Sequence, residues 1–142
     1  MTGLDCNILV QLAMADHTAH AATLRAAESE IIQGNQLIVA SLAVTEFLHV
    51  VTDPRRFTPP LTMTEALDWI EEFRGNTSVD TVEPTRASLD QTLRWIRQFN
   101  LGRKRILDTH LAAILHAHGV HRLLTSNPGD FAVFGVLETV TP

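Results

Sequence analysis

A single cysteine, Cys6, stands in the chain, so no internal disulfide can form and the fold must rest on its own core. That suits a reducing compartment. Beside the apolar run Ile8-Leu9-Val10, Cys6 reads as a small buried hydrophobe. No uncharged apolar run reaches the roughly 18 residues that a membrane-spanning helix needs. The opening Met1-Thr2-Gly3-Leu4-Asp5 carries no cationic segment, and an aspartate heads the apolar run that follows. A secretion signal is therefore not expected, no membrane is involved, and the expected location is the cytoplasm. Bulk positive charge is missing too. The net charge of −5 with neutral histidines argues against a protein that holds nucleic acid by overall potential. It does not argue against an enzyme that acts on nucleic acid through metal-binding carboxylates.

What is present is a globular composition. With 45% hydrophobic and 19% charged residues, the 142-residue chain can bury a sizeable core as one domain spanning residues 1–142. GLDCNILV reads as a strand ending near Asp5, with Asn7 a cap for the helix that follows. An alanine-rich helix runs from His17 to Gln33 and stops at Gly34. Gln36 to Ala40 is a short β-branched strand, and Ser41 caps a helix that ends before Asp53-Pro54. After a loop with three prolines, Thr62-Met63-Thr64-Glu65 has capping-box spacing ahead of an amphipathic helix. Strands follow at 77–82, 122–125 and 136–140, with helices from Thr85 and Ile106 between them; Leu89, Leu93, Ile96 and Phe99 share a face of the former. Strands alternating with helices predict an α/β fold, a central parallel sheet of four to five short strands flanked by helices on both faces.

Sites in such sheets form at the carboxyl ends of strands. Asp5 follows the first strand directly, Glu46 lies early in the helix after the second, Asp108 occupies the first turn of the helix leading into the fourth, and Asn127 and Asp130 follow the fourth. Asp5, Glu46 and Asp108 sit among core-forming residues, where a charge is expensive unless it is paired or metal-bound. Each has an ordinary reading: Asp5 as a cap, Glu46 as an arginine partner, Asp108 as a complement to its helix dipole, Asp130 as a turn acid. Taken jointly they point to metal-assisted phosphodiester hydrolysis, because hard Mg²⁺ or Mn²⁺ ions prefer oxygen ligands.

The same segments resemble a known family. GLDCNILV is similar to the opening of PIN domains, where a strand ends in Asp with Asn or Ser close behind. VASLAVTEFLHVVTDPRRF resembles the second acidic motif of VapC-type toxins, and ILDTHLAAILHAHGVHRLLTSNPGDFAVF resembles their third and fourth. The likeness covers essentially the whole chain. It implies a PIN-like fold, a Mg²⁺- or Mn²⁺-dependent endoribonuclease acting on structured RNA such as tRNA or ribosomal RNA loops, a homodimer, and inhibition by a VapB-type antitoxin. Asp5, Glu46 and Asp108 would be its acidic triad. The position two after the strand-ending Thr125, acidic in many relatives, is Asn127 here; Asp130 is the expected fourth acid, with Asn127 assisting at the metal.

Other features carry less. Arg103, Lys104 and Arg105 precede the Asp108 helix and could grip RNA backbone or form a solvated loop. Arg55 and Arg56 in the proline loop are weaker candidates of the same kind. Trp69 and Trp95 read as packing residues rather than base-stacking platforms. The histidine spacings, such as His116 and His118, do not make a zinc pair. A receiver-like phosphoacceptor fits poorly, because Cys6 stands where a second acid is expected and Lys104 is the only lysine. A catalytically inactive PIN scaffold that binds RNA or a partner protein is the alternative reading.

Overall fold

The computed structural model describes all residues from Met1 to Pro142. The first strand, β1 (Thr2–Leu4), is wholly buried and leads through Asp5 into helix α1 (Cys6–Ala13). Helix α2 (His20–Ile32), strand β2 (Leu37–Ala40) and helix α3 (Ser41–Val51) follow. Beyond the proline loop come helix α4 (Met63–Arg74), strand β3 (Val79–Val82) and helix α5 (Arg86–Gln98). Helix α6 (Ile106–Ala117), strand β4 (Arg122–Leu124) and strand β5 (Glu138–Val140) complete the chain. No helix is long and apolar enough to cross a membrane.

All five strands are parallel, in the order β3-β2-β1-β4-β5. Alternation along the strands divides the core in two. Leu37 and Val39 point to one cluster, with Leu9, Phe47 and Ile70 from α1, α3 and α4. Ile38 and Ala40 point to the other, with Trp95 from α5 and Leu111 to Leu115 from α6. Both faces are therefore covered, and β1 lies where chain order reverses across the sheet, which opens a crevice at its carboxyl end.

Several local expectations give way to tertiary packing. Asp5, not Asn7, is the N-cap residue of α1; Asn7 lies in the first turn and donates from Nδ2 to Asp5 Oδ2. Ser41 is the first residue of α3 rather than its cap, and its hydroxyl donates to Glu83 Oε2. Helix α2 begins at His20 because the ring nitrogen of His17 takes the backbone N–H of Ala19 and folds the preceding residues into a turn. The buried face of α5 is Ser88, Thr92 and Trp95, whereas Leu89 and Leu93 are 50% and 60% exposed. Ser88 and Thr92 return their hydroxyls to backbone carbonyls one turn back, which lets polar residues be buried satisfied. Thr92 also meets His110 of α6, and Trp95 packs on Phe134 with ring centroids 4.9 Å apart. The capping box at Thr62 and Glu65 forms as the sequence predicts.

At the amino end of the sheet, Glu30 of α2 is only 2% exposed yet fully satisfied. It accepts from Thr2 Oγ1 at 2.6 Å, from Asn35 Nδ2 at 2.9 Å, and from Arg122 Nε and Nη2, each at 3.0 Å. Arg122 in turn reaches Glu138 at the start of β5, so the carboxylate ties α2 to β1 and β4 and, through Arg122, to β5. Although burial opposes it, the Arg122 and Thr2 hydrogen bonds hold the Glu30 carboxyl below its ordinary 4.5. Arg122→Ala leaves that carboxylate buried without its partner and should cost about 2–4 kcal/mol in urea unfolding at pH 7. The contribution of Glu30 is present above pH 4.5 and lost as pH falls through its lowered folded value, so the penalty should shrink near pH 3.

Candidate active site

The crevice at the end of β1 collects the sequence's acidic candidates. Asp5 continues the ladder by donating its N–H to Leu124 O, and then turns its side chain toward the end of β4. Thr125 Oγ1 and Asn7 Nδ2 both donate to Asp5 Oδ2 at 2.6 Å. Glu46, in the middle of α3, and Asp108, in the first turn of α6, face the same cavity of about 420 Å³, which Asn127 also lines. Three acids from distant parts of the chain thus share one wall system with an amide oxygen donor.

Their titration reflects that company. Burial raises the Asp5 carboxyl above its usual 3.8 even though Thr125 and Asn7 stabilise its charge. Burial raises Glu46 above 4.5, and the charges of Asp5 and Asp108 add to it while Arg56 opposes them. Asp108 is pushed up to about 6, first by burial and then by the charges of Asp5 and Asp130, with Arg105 opposing. The Cys6 thiol, buried beside Glu46 and Asp5, is also pushed up, which suits a packing role rather than a nucleophile.

The side chains do not close on one another: no three His, Cys, Asp or Glu groups converge into a compact ligand group. The arrangement has visible causes. Asp5 is held toward Thr125 and Asn7, Asp108 lies 3.7 Å from the Arg105 guanidinium, and like charges resist closer approach. The donor set is nonetheless all oxygen, which fits a hard divalent cation and not zinc or copper. A cation held by Asp5, Glu46 and Asp108 would also relieve the repulsion that raises two of their carboxyls.

Asp130 and Asn127 are placed differently. The Asp130 carboxylate lies 3.8 Å from Arg105 and off the cavity wall, and the Arg105 guanidinium also donates to the Asp130 carbonyl. Asn127 stands on the wall, its N–H donating to Thr125 Oγ1 at 3.0 Å. Of the basic triplet, Arg105 is turned inward onto Asp108 and Asp130, and its Nε is buried without a hydrogen-bond acceptor; Arg103 and Lys104 are exposed on the short 3-10 turn before α6. Cavity residues that the sequence does not single out are Gln11 and His17, the latter from the turn between α1 and α2. Neither carries a periodic or motif signal. Arg56 and Phe57 arrive from the proline loop.

A carboxyl raised in the folded state stabilises the protein at low pH and loses that contribution as pH rises through its folded value. In chelator, Asp108→Asn should therefore be more stable than the parent at pH 7 and no more stable at pH 4, since Asp108 in the folded parent titrates near 6. The gain should be on the order of 1 kcal/mol after allowing for solvent screening of a partly exposed group. Thermal melting of both proteins across that pH range measures it.

No family model matches the sequence. The chain is 28% identical over 145 aligned positions to Ribonuclease VapC24 of Mycobacterium tuberculosis, covering 100% of this chain and 97% of the relative. Among solved structures it is similar to Mycobacterium tuberculosis VapC20, described as a sarcin-ricin loop cleaving toxin, with a TM-score of 0.75 at 17% identity over 100% of both chains. It is also similar to a chain of a toxin-antitoxin complex from Klebsiella pneumoniae, with a TM-score of 0.64 at 16% identity over 100% of this chain and 98% of that one. Over its full length, then, the chain is similar in sequence to a VapC ribonuclease and shares its fold with these toxins.

Proposed function

We propose that the protein is the endoribonuclease toxin of a VapBC-type toxin–antitoxin module, cutting structured RNA with Mg²⁺ or Mn²⁺ in the cytoplasm. The observation that carries this reading is the single cavity at the end of β1 onto which Asp5, Glu46, Asp108 and Asn127 all open. Ribonuclease VapC24 and the sarcin-ricin loop cleaving toxin VapC20 support RNA as the substrate. The Klebsiella pneumoniae toxin-antitoxin complex supports a VapB-type antitoxin as the inhibiting partner.

Asp5, Glu46 and Asp108 would hold the cation, with the Asn127 carbonyl as a further oxygen donor. When bound, the ion neutralises the phosphate and favours attack by water. Thr125 and Asn7 fix the Asp5 carboxylate by donating to one of its oxygens, leaving the other for the cation. Glu46 is the one acid of the three without a hydrogen-bond or ion-pair partner in the protein, so it is the one placed to accept the proton of the attacking water. Arg105 holds Asp108 and Asp130 together and keeps Asp130 in a supporting position beside the cavity. Helix α5 would offer Leu89 and Leu93, one turn apart and exposed, as an apolar contact for a second copy of the chain in a homodimer.

Purified protein free of antitoxin should cut total cellular RNA into discrete fragments with Mg²⁺ or Mn²⁺ and leave it intact in excess chelator. Asp5→Asn should lower the cleavage rate by on the order of 100-fold or more with the fold retained, as read by gel and circular dichroism. Cleavage that persists in chelator, or at the parent rate in Asp5→Asn, would sink the proposal. Folded, antitoxin-free protein that binds RNA but never cuts it would point to the scaffold alternative. A Leu89→Glu, Leu93→Glu double variant should elute from size-exclusion chromatography at half the parent's mass; an unchanged mass would remove α5 from the dimer contact.

A further inference from the structure

A second cavity, about 580 Å³, opens beside the acidic one, and the two share the walls formed by His17 and Phe57. It lies between the turn joining α1 to α2 and the proline loop. Its size falls in the range that ligand pockets occupy. Its lining is two-sided: Met14, Phe57, Pro60 and Leu61 give apolar surface, while Asp16 and Glu65 bring carboxylates.

The boundary between the cavities has a different chemistry. The backbone N–H of Ala19, which can only donate, lies 3.1 Å from His17 Nδ1. That nitrogen must accept, so the proton of the neutral ring resides on Nε2. No protein acceptor meets Nε2, and His17 lines both cavities. Arg56 lies on the acidic cavity's wall near this junction. Its neighbour Arg55 binds both oxygens of Asp53 at 3.0 Å, whereas Arg56 forms only a long ion pair with that carboxylate, at 4.0 Å, and makes no side-chain hydrogen bond.

We propose that this second cavity seats the nucleotide next to the cleaved bond, its base against Phe57 and Pro60, with the adjoining backbone phosphate held by His17 Nε2–H and Arg56. The inference rests on the ribonuclease reading. Three features favour an RNA nucleotide as the occupant. The two cavities adjoin at His17 and Phe57, so a strand with its scissile phosphate in the acidic one would have the second cavity beside it. The donors stand at the junction, where a phosphate would lie. The Asp16 carboxylate also lines the second cavity, where it would repel phosphate and accept from the amino group of a base, whereas Glu65 is engaged by Thr62 in the capping box. Apolar and aromatic walls suit a base irrespective of its identity, while Asp16 favours one that carries an amino group.

The test uses the full chain carrying Asp5→Asn, which binds without cutting, with Mg²⁺ and fluorescein-labelled single-stranded RNA of random sequence, read by anisotropy. His17→Ala and Arg56→Ala should each weaken binding roughly ten-fold, the loss expected for one charge-assisted hydrogen bond. Ala15→Trp, which fills the cavity from its exposed rim, should weaken it comparably. His17→Gln, which retains both an acceptor for the Ala19 N–H and an N–H donor, should recover most of the loss, and every variant should keep the circular dichroism spectrum of the Asp5→Asn protein. If that protein binds RNA and the three disruptive variants bind it equally well, the nucleotide seat is wrong while the ribonuclease reading stands. If Ala15→Trp leaves RNA binding intact but releases the active enzyme from antitoxin inhibition, the cavity belongs to a protein segment and the proposal is overturned. If Asp5→Asn protein, folded and free of antitoxin, binds no RNA, this proposal and the functional one fall together.

Discussion

A carboxylate at the end of the central strand is the constraint around which the rest is arranged. Asp5 is 7% exposed at the point where β1 gives way to α1, and a charge so placed must be met by donors or by a cation. The protein meets part of the demand from the neighbouring strand: Thr125, at the end of β4, gives its hydroxyl to Asp5, and Asn7 adds its amide. Because one oxygen of Asp5 accepts both, the strand pairing that orders the sheet also aims the site. Glu46 and Asp108 then add charge to a space where Asp5 already disfavours it, and only Arg56 and Arg105 oppose them. An all-oxygen cavity of mutually repelling acids is a poor resting arrangement and a good receiver for a hard cation.

The opposite end of the sheet solves the same electrostatic problem without leaving demand unmet. Glu30 is as deeply buried as Asp5, but Arg122 meets it with two hydrogen bonds and Thr2 and Asn35 supply two more. One end is closed by a satisfied ion-pair network and serves stability; the other is left open and serves chemistry. Arg105 stands between these two modes. It is drawn inside by Asp108 and Asp130, with its Nε buried and unpartnered, so it braces the acidic cluster rather than reaching outward for a substrate.

Much of the architecture is legible in local pattern. The short apolar strands, the capping box at Thr62 and the glycine stop after α2 follow from period, propensity and backbone freedom, and they suffice for a parallel α/β sheet. The misplaced details share one cause, namely that packing outweighs local preference. Leu89 and Leu93 carry the stronger hydrophobic signal on α5, yet Ser88 and Thr92 are buried, because small residues that bond to their own helix let α5 approach α6 and place Trp95 on Phe134. Asn7 looks like a cap, but Asp5 needs its amide more.

The sequence by itself determines which chemistry is available: oxygen donors in apolar settings at Asp5, Glu46 and Asp108, no cysteine pair, and a strand–helix alternation that puts loops at one sheet edge. Only the tertiary structure decides which groups meet. It brings those three acids to one cavity because β1 lies at the switch point of the sheet, with α3 and α6 on either side of it. Asn127 reaches the wall while Asp130 is drawn aside, because Arg105 folds back onto it from the turn before α6. His17 and Phe57 come to divide two adjoining cavities. Such meetings depend on contacts between residues far apart in the chain, and no local period or spacing encodes where a side chain from one loop will face a side chain from another.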